Sequence, residues 1–348
     1  MIKIIKHRIA KKFPKKPLSK KLNIKTIQLF HSKLIFVLLF ILFLVEFYDN
    51  NKNFEEKIEK DLASFDLNNS QLNWKNVNND FEFLIDKYKY LLTKEKNIEE
   101  DSPIWVMWYQ GIKNAPPIVK SCIQSIIENR EKHPVYIISK YNLDKYIKLP
   151  YYIFEKLKQR KINIEQFSGI IRFALLCKYG GYWVDSNYFI TSPLTKVSAS
   201  FYSLKLTRCW IHNHPYIKCL FSSGFMAVSK NSFIATYGLI SFLYYLKKYN
   251  SFITYFMIDY IINIAYTKVP EFKNKINKLP LINCSVFRLE RKLNNYFKIS
   301  DFKCPFNKLK LRSAKKIFDS KRITNYGYIV EKFKFEIKNN SNNYTLNI

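Results

Sequence analysis

Residues 164–185 read IEQFSGIIRFALLCKYGGYWVD. Phe167, Ile170, Ile171, Ala174 and Leu175 recur at i, i+3, i+4 and i+7 up to the polar Lys178, and predict an amphipathic helix over Ile164–Lys178. Ser168 and Arg172 stand four residues apart and share a neighbouring helix face. Gly180-Gly181 ends the helix as a left-handed cap would. Tyr182-Trp183-Val184 then forms a short apolar strand, and Asp185-Ser186-Asn187 falls at its carboxyl end. In open α/β sheets, ligands bind outside that end of the strands.

Upstream, Ile104–Trp108 (IWVMW) is a continuous apolar run after Ser102-Pro103 and predicts a buried strand. Tyr109-Gln110-Gly111 follows as a loop. Pro116 and Pro117 suit a helix start, and Ile118, Cys122, Ile123, Ile126 and Ile127 recur at helical spacing. Pro134–Ser139 (PVYIIS) is a second strand. Strands alternating with helices define an α/β sheet protein. Trp105 and Trp108 stand an odd number of positions apart, so they face opposite sides of the first strand, with Trp108 expected nearer a ligand.

The chain has 348 residues, with 58 Lys and Arg against 27 Asp and Glu, a formal charge of +31. A hydrophobic content of 48% excludes a disordered polycation. Such charge calls for anionic partners, although a Lys-rich background without a binding role would also supply it. The charge is unevenly spread. Residues 1–26 carry ten basic residues and no acid, 46–103 carry 14 acids against 8 Lys, and 104–348 carry 39 basic residues against 13 acids. Between Asn187 and Pro270 the only acid is Asp259, which makes it a candidate for catalysis, for acceptor binding or for a structural ion pair.

Leu34–Val45 (LIFVLLFILFLV) is the most apolar run, bounded by Lys33 and Glu46. Its helical length of roughly 18 Å falls short of the roughly 30 Å hydrocarbon core, but an extension over Ile27–Tyr48 would span. A cleaved signal peptide is disfavoured by the long basic region and by FYDNNKNFEE, which offers no small-residue cleavage site. A membrane anchor and a buried core helix remain, and the anchor is the expectation. If it spans, the positive-inside rule leaves the N-terminus cytoplasmic. The expected organisation is a basic tail (1–33), a membrane anchor (34–48), a stem (49–103) and a catalytic domain (104–348). Within the stem, Phe81–Leu92 suggests one amphipathic helix and the Asn-rich stretch Asn68–Asp80 reads as loop.

Ser168–Asp185, as S-x-I-I-R-x-x-L-L-x-x-Y-G-G-Y-W-V-D, resembles the core of the capsular polysaccharide synthesis proteins, which group with the DXD-motif glycosyltransferases of the nucleotide-diphospho-sugar transferase superfamily. The resemblance extends to Ile104–Gly111, to Pro116, Cys122, Ser125 and Pro134, and loosely to Phe256–Asp259, covering roughly residues 104–270. It implies the type A glycosyltransferase fold, a Rossmann-like α/β architecture. It also implies transfer, with retention, of a sugar from a nucleotide-diphosphate sugar to a glycan or glycolipid acceptor. Trp108, Tyr109, Gln110 and Gly111 would face the nucleoside, and Ser168, Gly180 and Gly181 would complete the substrate site. Arg172 would contact the donor's sugar or phosphate. Asp185, with Asn187, would hold the diphosphate through Mn²⁺ or Mg²⁺, which suits a leaving group that gains charge as the glycosidic bond breaks. A bacterial source would place the domain at the cytoplasmic face, a eukaryotic one in the Golgi lumen.

The chain departs from the family pattern at two positions. Gly169 stands where the family usually has Asp after the helix Ser, and Asn187 ends the DXD-like triplet. The rival reading is a catalytically degenerate member that binds glycan or anionic membrane. A nucleic-acid binder is the third, but no nucleic-acid module is present and no specific nucleic-acid partner is expected. His212 and His214 form an H-x-H pair that would supply a further metal ligand, or a plain loop. The six Cys show no zinc spacing; Cys122 and Cys177 are expected as buried thiols, and Cys209 and Cys219 would pair in an oxidising compartment. No Walker loop, Rossmann fingerprint, G-x-S-x-G elbow or H-E-x-x-H occurs.

Overall fold

The computed structural model describes residues 53–65, 71–194, 197–205, 220–282, 284–310, 318–319 and 322–335. The basic tail, the apolar run at Leu34–Val45, the His212/His214 pair and Cys209 and Cys219 lie outside them. Among the described residues no helix is long and apolar enough to cross a membrane.

Among the described residues the first elements are helix α1 (53–63) and helix α2 (Trp74–Tyr88). Strand β1 (Ile104–Met107) leads through helix α3 (Pro117–Glu128) to β2 (Val135–Ile138), which pairs parallel to it. Helices α4 (Tyr151–Lys158) and α5 (Ile164–Tyr179) then return the chain to β3 (Gly181–Val184), parallel on the other side of β1. A short strand β4 (Tyr188–Ile190) leaves the sheet. β5 (Phe201–Lys205) and β6 (Phe221–Val228) complete it in antiparallel fashion, giving the order β2-β1-β3-β6-β5. Helices α6 (Phe233–Lys248), α7 (Met257–Lys268) and α8 (Pro270–Asn277) follow. Strand β7 (Phe306–Lys308) pairs antiparallel with β4. A two-residue hairpin, β8 (Phe318–Asp319) and β9 (Arg322–Ile323), precedes helix α9 (Asn325–Lys332).

Apolar side chains cover both faces of the sheet, which is why β1 reads as an unbroken apolar run. Trp105, Met107, Trp183 and Met226 face the core built by α5, α6 and α7. Ile104, Val106, Tyr182 and Val184 face a second core with α3 and β4. The two tryptophans of the first strand region part as their spacing predicts: Trp105 enters the first core and Trp108 packs against the second. The α/β class and the strand-helix order over 104–185 match expectation.

The segment expected as a stem is different. Asn73, in extended conformation, accepts the amide of Asn76 and starts α2 at Trp74, inside the stretch expected as loop. Its buried face of Val77, Phe81, Leu84, Ile85 and Tyr88 packs on α6 and α7. The Tyr260 hydroxyl donates to Asn78 Oδ1 (2.7 Å), and Asp80 accepts from Lys248 Nζ (2.8 Å) and Tyr249 OH (2.9 Å). Residues 74–88 therefore belong to the compact unit, which runs from Phe54. The Asn signal was misread because Asn favours loops and helix caps alike.

Phe81 is fully buried and its ring lies 5.7 Å from that of Tyr260. Phe81→Ala is expected to lower the unfolding free energy by about 3–5 kcal/mol in a denaturant titration. A freestanding stem would leave that value unchanged.

Candidate active site

β1 has β2 on one side and β3 on the other, so strand order reverses between β1 and β3. Chains leaving the carboxyl ends of these two strands diverge and open a crevice there. Trp108 follows β1 and Asp185 follows β3, and both line a cavity of about 1310 Å³. Six basic side chains (Lys158, Arg160, Arg172, Arg291, Lys308 and Lys310) stand in its wall against the four acids Glu165, Asp185, Asp259 and Glu290. The surplus of positive charge suits an anionic ligand.

Asp185 is the hub. Its Oδ1 accepts from Arg172 Nη2 (2.8 Å) and from Trp183 Nε1 (2.8 Å), and its Oδ2 accepts from Lys308 Nζ (3.0 Å). The Arg172 guanidinium also lies over the Trp183 ring, 5.0 Å from its centroid. Each partner is set by its own element. Arg172 comes from α5, whose start is fixed by a capping box in which Asn163 and Gln166 exchange side-chain and backbone hydrogen bonds. Lys308 comes from β7, where Tyr188 pairs with Lys308, the Leu309 amide donates to the Asn187 carbonyl (2.9 Å) and the Lys308 amide donates to Val286 (2.7 Å). A Cys284–Cys304 disulfide closes the loop just before β7.

Burial raises the Asp185 carboxyl, but Lys308, Arg172 and the Trp183 indole outweigh it and hold it below the usual carboxylate range. Burial lowers the Lys308 ammonium, yet Asp185 and Tyr188 raise it on balance, so it stays charged. Arg172 is only 5% exposed and burial lowers its pKa despite Asp185 and Asp259. Asp259, in the first turn of α7, is pushed up to about 6, by burial first, against the pull of Lys308 and Arg172.

Of the residues singled out from sequence, Arg172, Asp185, Asp259, Asn187, Ser168, Trp108, Tyr109 and Gln110 all line this one cavity. Trp108 Nε1, Arg172 Nε and Asn187 Oδ1 are buried without a hydrogen-bond partner among the described residues. Three glycines fall outside the lining. Gly111 turns the loop after β1 at φ 87°. Gly180 and Gly181, at φ 70° and 90°, sit at the amino end of β3, away from Asp185. A Cβ on Gly181 would stand 2.2 Å from the Pro103 carbonyl oxygen, and one on Gly180 2.6 Å from the Lys230 amide. Their role is close backbone packing, not substrate contact.

Gly169 also has a packing reason. A Cβ there would meet Ile258 Cδ1 at 3.0 Å and Phe242 at 3.4 Å, so α5 approaches α6 and α7 closely at this point. An aspartate would press its carboxylate against these apolar side chains. Lys308 and Gly224 were missed by sequence reasoning. A Cβ on Gly224 would lie 2.3 Å from Asp185 Oδ2 and 2.7 Å from Lys308 Nζ, and Gly224 accepts the Asp185 amide (2.8 Å). Lys308 had no signal in so lysine-rich a chain. Gly224 had one: with only seven glycines in 348 residues, a glycine inside a strand is a signal of close packing.

A divalent cation needs several free oxygen donors. Both Asp185 oxygens are already committed to an indole and two cations, and Asn187 adds only a neutral oxygen. Among the described residues no three His, Cys, Asp or Glu gather into a metal-binding group. A metal at Asp185 would also adjoin the charges of Arg172 and Lys308. The residues present do not fit the expected Mn²⁺ or Mg²⁺ site in this arrangement.

A profile of the capsular polysaccharide synthesis protein family matches residues 51–329, and the chain belongs to that family. By class it is a glycosyltransferase. A solved structure described as PaToxG glycosyltransferase is similar over 58% of this chain and 82% of its own length, at 17% identity and a TM-score of 0.35, too loose a likeness to carry residue roles across. No curated protein sequence matches.

Two outcomes are expected. Gly224→Ala parts the Asp185–Lys308 pair and lowers sugar transfer about tenfold or more, while circular dichroism stays unchanged. For Asp259, the native state keeps a proton between about pH 4 and pH 6 that the unfolded chain has lost, so ionisation costs stability as pH rises through that window. Asp259→Asn therefore stabilises by about 1–3 kcal/mol at neutral pH, a gain that disappears near pH 4 in denaturant unfolding at the two pH values.

Proposed function

We propose that this protein is a type A glycosyltransferase that moves a sugar from a nucleotide-diphosphate donor to a glycan or glycolipid acceptor. The observation that carries the reading is the basic cavity at the strand-order reversal, with Arg172, Asp185 and Asp259 gathered in its wall. The sheet order, with the parallel strands β2, β1 and β3 followed on one side by the reversed strand β6 and then β5, supports the type A assignment.

The loop Trp108–Gln110 offers the nucleoside an aromatic wall. The Arg172 guanidinium is the group for the donor's diphosphate, since a planar fork of donors matches phosphate oxygens. Tyr255 is 60% exposed on the cavity wall and presents a ring face to the acceptor sugar. In transfer, the bond from the anomeric carbon to the diphosphate breaks and its electron pair leaves on phosphate oxygen. The acceptor oxygen bonds to the anomeric carbon. Its proton passes to the departing phosphate oxygen or to Asp259. With its carboxyl raised to about 6, Asp259 is mostly ionised at neutral pH and also balances the positive charge that develops on the sugar. Membrane anchorage through Leu34–Val45, which would bring the cavity close to lipid-linked acceptors, rests on sequence alone.

The test is donor hydrolysis and transfer across a panel of nucleotide sugars. Wild type turns over at least one donor, and Asp185→Ala loses about 100-fold or more, because freeing Arg172 and Lys308 disorders the site. A wild type that binds no nucleotide sugar overturns the reading. Tight binding without turnover would mark a degenerate member.

A further inference from the structure

We propose that the donor's diphosphate is held by a pair of the protein's own cations, Arg172 and Lys308, in the place where the family resemblance implies a divalent metal, and that Lys308 neutralises the departing diphosphate. This rests on the glycosyltransferase reading above and adds a substrate-binding residue that the sequence did not disclose.

The charge balance comes first. Arg172 and Lys308 both bond to the single carboxylate of Asp185 at 2.8 and 3.0 Å. That local group carries a surplus positive charge. Asp259 also faces both cations and, mostly ionised at neutral pH, offsets much of that charge, so the lasting surplus comes from Lys158, Arg160, Arg291 and Lys310 in the same wall against Glu165 and Glu290. Arg172 is nine-tenths buried, and its Nε has no hydrogen-bond partner among the described residues. A buried guanidinium that lines a cavity and has not spent all of its donors suits an anion there.

The second observation is how Lys308 is held. Its strand pairs residue for residue with β4, which follows directly on the Asp185–Asn187 turn. The amides of Lys308 and Leu309 are both bonded, to Val286 and to Asn187. Gly224 leaves no room beneath the Asp185–Lys308 contact for even a methyl group. A surface lysine making an incidental ion pair would not need its strand fixed on both edges and a glycine beneath it.

Chemically, two fixed unit charges supply what a divalent cation supplies as a Lewis acid: stabilisation of the negative charge that appears when the anomeric C–O bond breaks onto phosphate. The ammonium and guanidinium donate hydrogen bonds to the phosphate oxygens and lose no proton. Asp185 serves as a positioning residue that holds the two cations side by side despite their repulsion.

The test is calorimetric titration of UDP and GDP into the full chain, with excess EDTA and separately with Mn²⁺. At least one nucleotide is expected to bind with the same affinity, within about twofold, in both buffers. Lys308→Met is expected to weaken that binding about tenfold or more, with Lys308→Arg restoring most of it. By freeing one oxygen of Asp185, Lys308→Met also becomes responsive to Mn²⁺, which a merely structural lysine would not produce. Binding seen only with Mn²⁺, or unchanged in Lys308→Met, overturns the cation pair and leaves the donor reading standing. If neither nucleotide nor any member of the donor panel binds in either buffer, both fall. Should Lys308→Met fail to fold, the comparison of EDTA with Mn²⁺ on wild type decides.

Discussion

The Asp185 carboxylate is shared by a guanidinium, an ammonium and an indole N–H, and it lies against a glycine that leaves no space behind it. Each contact demands something of a different part of the chain. Arg172 requires α5 to begin at its capping box and to run the right length before Gly180. Trp183 requires the register of β3, and Gly224 requires β6 to pair with β3 so that Val184 stands opposite Phe225. Lys308 requires the chain to return from 120 residues downstream and pair with β4. The mixed sheet and the small β4–β7 sheet beside it are the frame in which these four demands are met together.

Two like charges held on one carboxylate are stable only while that carboxylate stays ionised, and its depressed pKa ensures that it does at neutral pH. Removing one member of a dry ion pair costs about 3–5 kcal/mol, but Asp185 and Lys308 are each about a quarter exposed and water reduces that figure. The arrangement is therefore better suited to placing positive charge on the cavity wall than to stabilising the fold. Asp259 points the same way. Its ionised form is opposed by burial, yet a carboxylate is retained there in a stretch otherwise without acids. Groups perturbed in this way cluster at functional sites, which makes Asp259 a candidate for acting on a ligand.

Much of this was legible from residue order. The helical period over Ile164–Lys178, the Gly-Gly stop and the apolar strand gave α5, β3 and Asp185 within a residue or so. The scarcity of acids in the downstream half singled out Asp259, which the fold brings beside Arg172. The Asn-rich segment before Phe81 misled, because Asn73 caps a helix as readily as it makes a loop. Gly180 and Gly181 were assigned to the substrate because they sit inside the motif. Their positive φ values and the closeness of Pro103 and Lys230 show that the backbone needs them at the opposite end of the strand.

The sequence by itself determined the α/β class, the succession of strands and helices through residues 104–185, and the presence of an arginine and an aspartate on neighbouring elements. These follow from local periodicity and from turn residues that act within a few positions. Only the tertiary structure decided the partner of Asp185, the need for Gly224, and the burial of residues 74–88 in the core. Each of those depends on two segments far apart in the chain meeting at a few ångströms. One lysine among 49 carries no mark of the carboxylate it will meet, because that meeting is made by strand pairing between β4 and β7 and by nothing in the neighbourhood of Lys308 itself.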